Sequence, residues 1–183
     1  MVERDPIVGL LLSDALRRLR LVSDLPYDEI NDQLDGVIYR AKELNKRLLL
    51  NLGDSVIFAK ETRELLSDPD KNHQSFTRPD VCYLDPMFPP RTKSSAVKKN
   101  MQILHGLFQH DHVHDTLRLQ DERNLLEEAL LLAKKRVVVK RPISSLPLGV
   151  QKDVALDVKM PSHELKGSIN RFDVYVIPQP DSS

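Results

Sequence analysis

The chain has 183 residues, which is long enough for one domain with a buried core. Lys plus Arg and Asp plus Glu number 27 each, so the formal net charge is zero and no overall basic charge indicates a nucleic-acid partner. A single cysteine, Cys82, excludes an internal disulfide and a cysteine-based zinc site, and no apolar run is long enough to span a membrane. We therefore expect a reduced, cytoplasmic protein with no membrane segment.

The first part of the chain carries alternating helix and strand patterns. Asp5 followed by Pro6 is typical of a helix start, with the aspartate as N-cap and the proline in the first turn. Apolar residues then recur at helical spacing, and a second such stripe follows Pro26. A compact apolar run at 48–50 is typical of a buried strand. The predicted elements are helices over roughly 6–20, from after Pro26 to about Leu44 and over 56–66, and a buried strand that begins with the run at 48–50 and ends at Gly53-Asp54.

The second part of the chain contains more strands. Residues 67–79 are mostly polar and are typical of a surface loop, and residues 142–162, with three prolines, predict a loop with at most one strand. The predicted elements are a strand at 81–84, helices over about 94–108 and 119–134, a strand at 137–139, and a hairpin of 163–167 and 172–177. Strands that alternate with helices and end in a hairpin indicate a single α/β domain over 1–183, with a mainly parallel sheet and an antiparallel C-terminal strand.

The strand at 81–84 is followed by Asp85-Pro86-Met87-Phe88, and open α/β sheets keep their active sites at such strand ends. An amino group on a planar base is a poor nucleophile because its lone pair is delocalised into the ring. A carboxylate or carbonyl oxygen that accepts its N–H bonds can turn that lone pair toward a methyl donor. We therefore predict that Asp85 and the Pro86 carbonyl hold the amino group and that Phe88 stacks on the base. The alternative is an ordinary turn in which the aspartate caps and the phenylalanine packs.

Four segments of the chain resemble the RsmJ family, bacterial guanine-N2 methyltransferases of small-subunit ribosomal RNA (rRNA). Val81–Met101 resembles it through a Tyr-Leu-Asp-Pro-Met-aromatic-Pro turn followed by a basic segment. Met1–Pro6, Lys135–Pro142 and Arg171–Tyr175 are also similar to that family. The resemblance implies a Rossmann-like class I methyltransferase fold, S-adenosylmethionine (SAM) as cofactor and methyl donor, and rRNA as the partner.

The resemblance also assigns residues to the cofactor. Glu3, with Arg4 beside it, matches the acidic residue that binds the cofactor's ribose hydroxyls in this fold, and Asp85 borders the same site. Asp54, followed by Ser55, matches the acidic residue near the adenine. Taken alone, either acid could be an ordinary helix-start or turn residue, and that alternative stays open.

Basic residues cluster at two places near the predicted strand ends and predict contacts to RNA phosphates. These residues are Arg91, Lys93, Lys98, Lys99, Lys140 and Arg141. The alternative is that they are charged, solvated ends of helices and strands. His110, His112 and His114 alternate in a way that suits metal binding on a strand, but their surroundings predict a polar loop. Methyl transfer needs no metal, so we expect none.

The sequence departs from the family at its start. The family's sheet normally begins with a central strand that ends in a glycine-rich turn, and this sequence has neither. The expectation is a fragment, a misassigned start or a degenerate homologue, and if residues 1–183 are the whole polypeptide we expect weak or absent SAM binding. Two other functions stay open: a non-catalytic RNA-binding or interaction homologue, and a methyltransferase that acts on an adenine amino group in DNA or RNA.

Overall fold

The structure is a computed structural model, and it describes residues 1–26, 32–68, 77–86, 115–151 and 158–179. The chain groups into two compact units, Met1–Phe58 and Ala59–Ser183. The single domain over 1–183 expected from the sequence stays a prediction. No helix within the five described ranges is both long and apolar enough to cross a membrane. The helix predicted at 94–108 lies outside these ranges.

The first unit holds two helices and two short strands. They are β1 (Val2–Glu3), α1 (Pro6–Ser23), α2 (Asp32–Arg47) and β2 (Asn51–Leu52). Asp5 is the N-cap of α1, as predicted, because its Oδ1 accepts hydrogen bonds from the backbone N–H groups of Ile7 (2.8 Å) and Val8 (3.0 Å). Both helices run a few residues beyond the C-terminal ends predicted for them, so the capping signal located the start of α1 better than periodicity located its end.

Strand β2 lies just after the apolar run that was predicted to begin it. It pairs in parallel with β1, so that Asn51 lies opposite Val2, and the backbone N–H of Asn51 donates to the carbonyl of Met1 (2.9 Å). The two residues of β2 lie within the predicted segment, which ends at Gly53, but both are exposed, so the prediction of a buried strand is wrong. Pairing with β1 selects the strand residues, and the register of two distant segments cannot be read from an apolar run.

The second unit is built on a four-stranded sheet. Helix α3 (Ser55–Ser67) begins in the first unit and continues into the second, which also contains β3 (Val81–Leu84), α4 (Asp115–Leu132), β4 (Arg136–Pro142), β5 (His163–Lys166) and β6 (Asn170–Val176). The strand order is β3-β4-β6-β5. Strands β3 and β4 are parallel, and β6 is antiparallel to both β4 and β5. The predicted α/β class with an antiparallel C-terminal strand is confirmed.

One face of this sheet packs against α4. Alternate residues of β4, Val137 and Val139, are fully buried on that face, because successive side chains of a strand point to opposite sides of the sheet. The core consists of Leu126, Ala129, Ala133, Val137, Val139, Leu148 and Tyr175. Cys82 packs against it, and burial raises the pKa of its thiol. Within the described residues, β3 pairs with β4 only.

Arg78 closes the C-terminal end of α4. Its Nε donates a hydrogen bond to the carbonyl of Leu132 (3.0 Å), and its Nη2 donates to the carbonyls of Leu131 (2.6 Å) and Ala133 (3.0 Å). The last carbonyls of a helix have no donor within the helix, and a cation there also interacts favourably with the helix dipole. Arg78 therefore ties the residues that precede β3 to the end of α4.

Replacing Arg78 with alanine should lower the free energy of unfolding of the second unit by about 1 kcal/mol, because these carbonyls lose a charged donor at a partly exposed position. Arg78→Lys keeps the charge but not the planar set of donors, so we expect a smaller loss. Amide hydrogen exchange in α4 measures both effects. Equal exchange rates in the wild type and Arg78→Ala would contradict this role.

Candidate active site

Asp85 lies at the carboxyl end of β3, on the edge of the sheet where the sequence placed a site. In the parallel pairing of β3 with β4, Leu84 is opposite Val139, and continuing that register by one residue brings Asp85 beside Lys140. The Nζ atom of Lys140 lies 2.8 Å from Oδ2 of Asp85, a charge-assisted hydrogen bond. Pro86 follows Asp85, and Phe88 lies outside the described residues.

The ion pair between Asp85 and Lys140 is partly open to solvent. The Asp85 side chain is 43% exposed and that of Lys140 is 31% exposed, so a substrate can reach both groups. The hydrogen bond to Asp85 raises the pKa of the Lys140 ammonium, which therefore stays charged. The sequence predicted Lys140 as a phosphate contact, but the structure places its ammonium on the candidate catalytic carboxylate.

Arg141, the next residue, is buried and lies on the opposite face of the sheet. Its Nε donates to the carbonyl of Leu146 (3.1 Å), and its Nη1 lies 3.9 Å from Oε1 of Glu122, which is also buried. Burial lowers the pKa of this guanidinium. The prediction that Arg141 contacts RNA phosphates is therefore wrong, because its charge points into the protein. The other four predicted phosphate contacts, Arg91, Lys93, Lys98 and Lys99, lie outside the described residues.

The loop after β4, residues 143–150, leaves the sheet at the same edge as Asp85. Hydrogen bonds from a side chain of β6 hold its first residues in place. Arg171 of β6 donates through Nη1 to the carbonyls of Ile143 (3.1 Å) and Ser145 (2.6 Å). Its Nε and Nη2 form a two-pronged ion pair with Asp173, at 2.7 and 3.2 Å. Asp173 is fully buried and Arg171 is nearly so, and this pair fixes where the loop begins.

The end of the same loop is fixed by Gly149. Its backbone N–H donates to Oε2 of Glu122 (3.3 Å), and its carbonyl accepts a hydrogen bond from Nε of Arg123 (2.9 Å). Gly149 has φ +73°, and a Cβ atom there would lie 2.6 Å from Cγ of Arg123. Only glycine tolerates both this backbone conformation and this close approach. Together with the hydrogen bonds from Arg171, the two hydrogen bonds of Gly149 anchor both ends of the loop within the second unit.

A second group of predicted residues lies in the first unit, around the end of β1. Glu3 is the last residue of β1, and its Oε1 accepts a hydrogen bond from the backbone N–H of Asp5 (2.8 Å). Arg4 pairs with Oδ2 of Asp54 at 3.4 Å. A cavity of about 280 Å³ opens beside these residues. Its lining comprises Glu3, Arg4, Asp5, Pro6, Leu10, Ser13, Leu52 and Gly53.

Asp54 is the N-cap of a helix, the ordinary structural role that the sequence left open for it. Its Oδ1 accepts hydrogen bonds from the backbone N–H groups of Val56 (2.8 Å) and Ile57 (3.2 Å), so it caps α3, whose first residue is Ser55. Glu3 is different: among the described residues nothing donates to its Oε2. A ribose diol needs a carboxylate acceptor of this kind, and the lining of the cavity supplies one. This acceptor fits the hydroxyl donors on the ribose of an adenosine cofactor.

Sequence reasoning missed two ion pairs that shape the candidate site, Lys140–Asp85 and Arg171–Asp173. The Lys140–Asp85 pair joins residues 55 positions apart, and only the register between β3 and β4 brings them together. The Arg171–Asp173 pair had a usable signal. Arg171 directly precedes the strand predicted at 172–177, and opposite charges two residues apart along a strand lie on one face of the sheet, which here is the buried one.

Comparison with known proteins places the chain in a family. Residues 57–177 match the model of a family described as "Putative SAM-dependent methyltransferase". A protein of Pseudoalteromonas atlantica named Ribosomal RNA small subunit methyltransferase J is 38% identical over 97% of this chain and 54% of its own length. A protein of the same name from Thioalkalivibrio sulfidiphilus is 36% identical over 96% of this chain and 52% of its own length. The chain thus spans about half the length of these relatives.

A solved structure gives the same result at the level of the fold. The crystal structure of a SAM-dependent methyltransferase from Neisseria gonorrhoeae aligns with a TM-score of 0.54 and 29% sequence identity. The alignment covers 99% of this chain and 56% of that protein. Because the family model also matches well over half of the sequence, the chain belongs to this family of SAM-dependent methyltransferases.

Proposed function

We propose that the protein carries out SAM-dependent methylation of small-subunit rRNA and that the methyl group goes to N2, the exocyclic amino nitrogen of a guanine. Membership of the methyltransferase family and the names of the relatives support the reaction and the class of RNA. The choice of an amino group as the methyl acceptor rests on the position of Asp85. This residue places a solvent-accessible carboxylate directly before a proline, at the carboxyl end of a parallel strand.

The proposed chemistry needs acceptors for the two N–H bonds of the guanine amino group. Asp85 accepts one, and the carbonyl of Pro86 accepts the other, so that the nitrogen lone pair turns out of the plane of the ring. Phe88 supplies a surface on which the extruded base stacks, worth about 1–3 kcal/mol for a base on an aromatic ring. SAM, when bound, supplies a methyl group on a positively charged sulfur. The protein contributes by holding the nitrogen in line with that group.

The cofactor is proposed to bind beside the end of β1. There Glu3 has an oxygen available to accept from the ribose hydroxyls, and Arg4 lies next to it. The adenine is proposed to lie near Asp54 and Ser55, where the cap of α3 keeps Asp54 in place. Asp85 is proposed to border the methionine part of the cofactor.

The RNA surface is proposed to consist of Arg91, Lys93, Lys98 and Lys99. On a chain with no net charge, contacts to phosphates have to come from such a local cluster. Binding that depends on a few lysine and arginine contacts weakens steeply as salt rises, because each contact releases counterions from the RNA. Arg141 is not part of this proposal, since it is buried.

The proposed substrate can be identified in the organism that encodes the protein. Small-subunit rRNA from a strain that lacks the gene should have lost N2-methylguanosine at one position, as measured by mass spectrometry of nuclease fragments. Returning the gene should restore the methyl group. Loss of N6-methyladenosine would move the target to adenine. Unchanged nucleosides, together with retained binding of the protein to rRNA, would favour a non-catalytic homologue.

A further inference from the structure

We infer that Lys140 is a positioning residue for methyl transfer: its ammonium fixes the Asp85 carboxylate through Oδ2 and leaves Oδ1 to accept from the substrate amino group. This inference rests on the proposed function of Asp85. It gives Lys140 a task inside the active site, where the sequence suggested a contact to the RNA backbone. Lys140 itself does not touch the reacting atoms.

The geometry carries this assignment. The Nζ–Oδ2 distance of 2.8 Å is that of a charge-assisted hydrogen bond, and no rearrangement is needed to form it. The pair is built into the sheet, since Asp85 follows β3 and Lys140 lies within β4, at the next step of the register that sets Leu84 opposite Val139. Arg141 points to the buried face, so it cannot take the place of Lys140.

The chemistry explains why Asp85 needs such a partner. An ionised carboxylate has about four positions that accept hydrogen bonds, so one ammonium on Oδ2 leaves acceptors for a substrate. The carboxylate of an aspartate rotates over a broad range about its last bond when nothing holds it. A rotated carboxylate places the amino nitrogen off the line of transfer, and an error of about 1 Å can cost roughly 100-fold in rate.

The pair contributes little to folding, which allows its catalytic role to be separated. Lys140 and Asp85 are both partly exposed, and ion pairs of this kind stabilise a fold only weakly. Lys135 and Asp80 form a similar pair at the opposite ends of the same two strands, at 3.4 Å and with both side chains more than half exposed. Lys135→Met is therefore a matched control for Lys140→Met.

Kinetics of methyl transfer to rRNA test the role. For Lys140→Met in the full native protein we expect kcat to fall about 10- to 100-fold, with the KM for RNA and its salt dependence unchanged. Lys140→Arg should recover part of the loss because it keeps a cationic donor, and Lys135→Met should match the wild type. An unchanged kcat with a raised KM and a flatter salt dependence would overturn the inference in favour of a phosphate contact. An equal loss in Lys135→Met would overturn it as well.

A second measurement needs no methyl transfer. NMR titration of lysine labelled at 13Cε reports the pKa of Lys140 in the wild type and in Asp85→Asn. The pKa of Lys140 is raised by its hydrogen bond to Asp85, so we expect it to fall in the variant. An identical pKa for Lys140 in both proteins would overturn the pairing. The titration addresses the pair alone, and the comparison of deletion strains addresses the proposed function alone.

Discussion

Replacing Arg171 with methionine is expected to lower the free energy of unfolding of the second unit by about 3–5 kcal/mol, the usual cost of removing one partner of a buried ion pair. The change leaves the Asp173 carboxylate fully buried without its two-pronged partner. It also removes the donor to the carbonyls of Ile143 and Ser145. Hydrogen exchange of the β4 and β6 amides in increasing urea measures the loss where it occurs.

Two further variants separate the buried charge from lost packing. Arg171→Met combined with Asp173→Leu removes both charges, so it should recover most of the stability, since apolar residues often replace a buried pair at little cost. Lys166→Met breaks a pair with Glu164 on β5, in which the lysine side chain is 65% exposed, and should cost less than 1 kcal/mol. If Arg171→Met loses no more than Lys166→Met, the pair does not stabilise the sheet.

The elements of the second unit follow closely from local patterns in the sequence. The apolar run at 81–84 predicted β3, all of whose residues pair with β4. The hairpin of β5 and β6 was predicted from two short segments separated by a few residues. Strand β4 runs from Arg136 to Pro142, well beyond the three valines that predicted it. The extension was not predicted because Lys140 and Arg141 are charged and did not continue the apolar pattern. The groups they pair with lie on other elements and cannot be read from the local sequence.

The site could be predicted only as far as local sequence reaches. Asp85 and Pro86 are recognisable because a polar turn follows an apolar strand, whereas Glu3 was assigned only through the family resemblance. The partners of these residues depend on register and on which face of the sheet each side chain meets. Two neighbouring basic residues, Lys140 and Arg141, therefore looked alike in the sequence but have opposite environments in the structure.

Replacing Asp85 with asparagine is expected to slow methyl transfer by about 100-fold while leaving RNA affinity unchanged. Asparagine has nearly the same shape, but it has no charge, it offers fewer acceptor positions and it cannot keep the ion pair with Lys140. Loss of one well-placed group that holds the reacting atom typically costs about this much. Asp80→Asn, a change of the exposed aspartate at the start of the same strand, is the matched control.

The most direct test of the account is the single-turnover rate of methyl transfer to guanine N2 in small-subunit rRNA, measured with the full native protein and its Asp85→Asn variant at saturating RNA. We predict a rate about 100-fold lower for the variant and an unchanged rate for Asp80→Asn. An Asp85→Asn protein that methylates guanine as fast as the wild type would contradict the claim that the end of β3 holds the amino group.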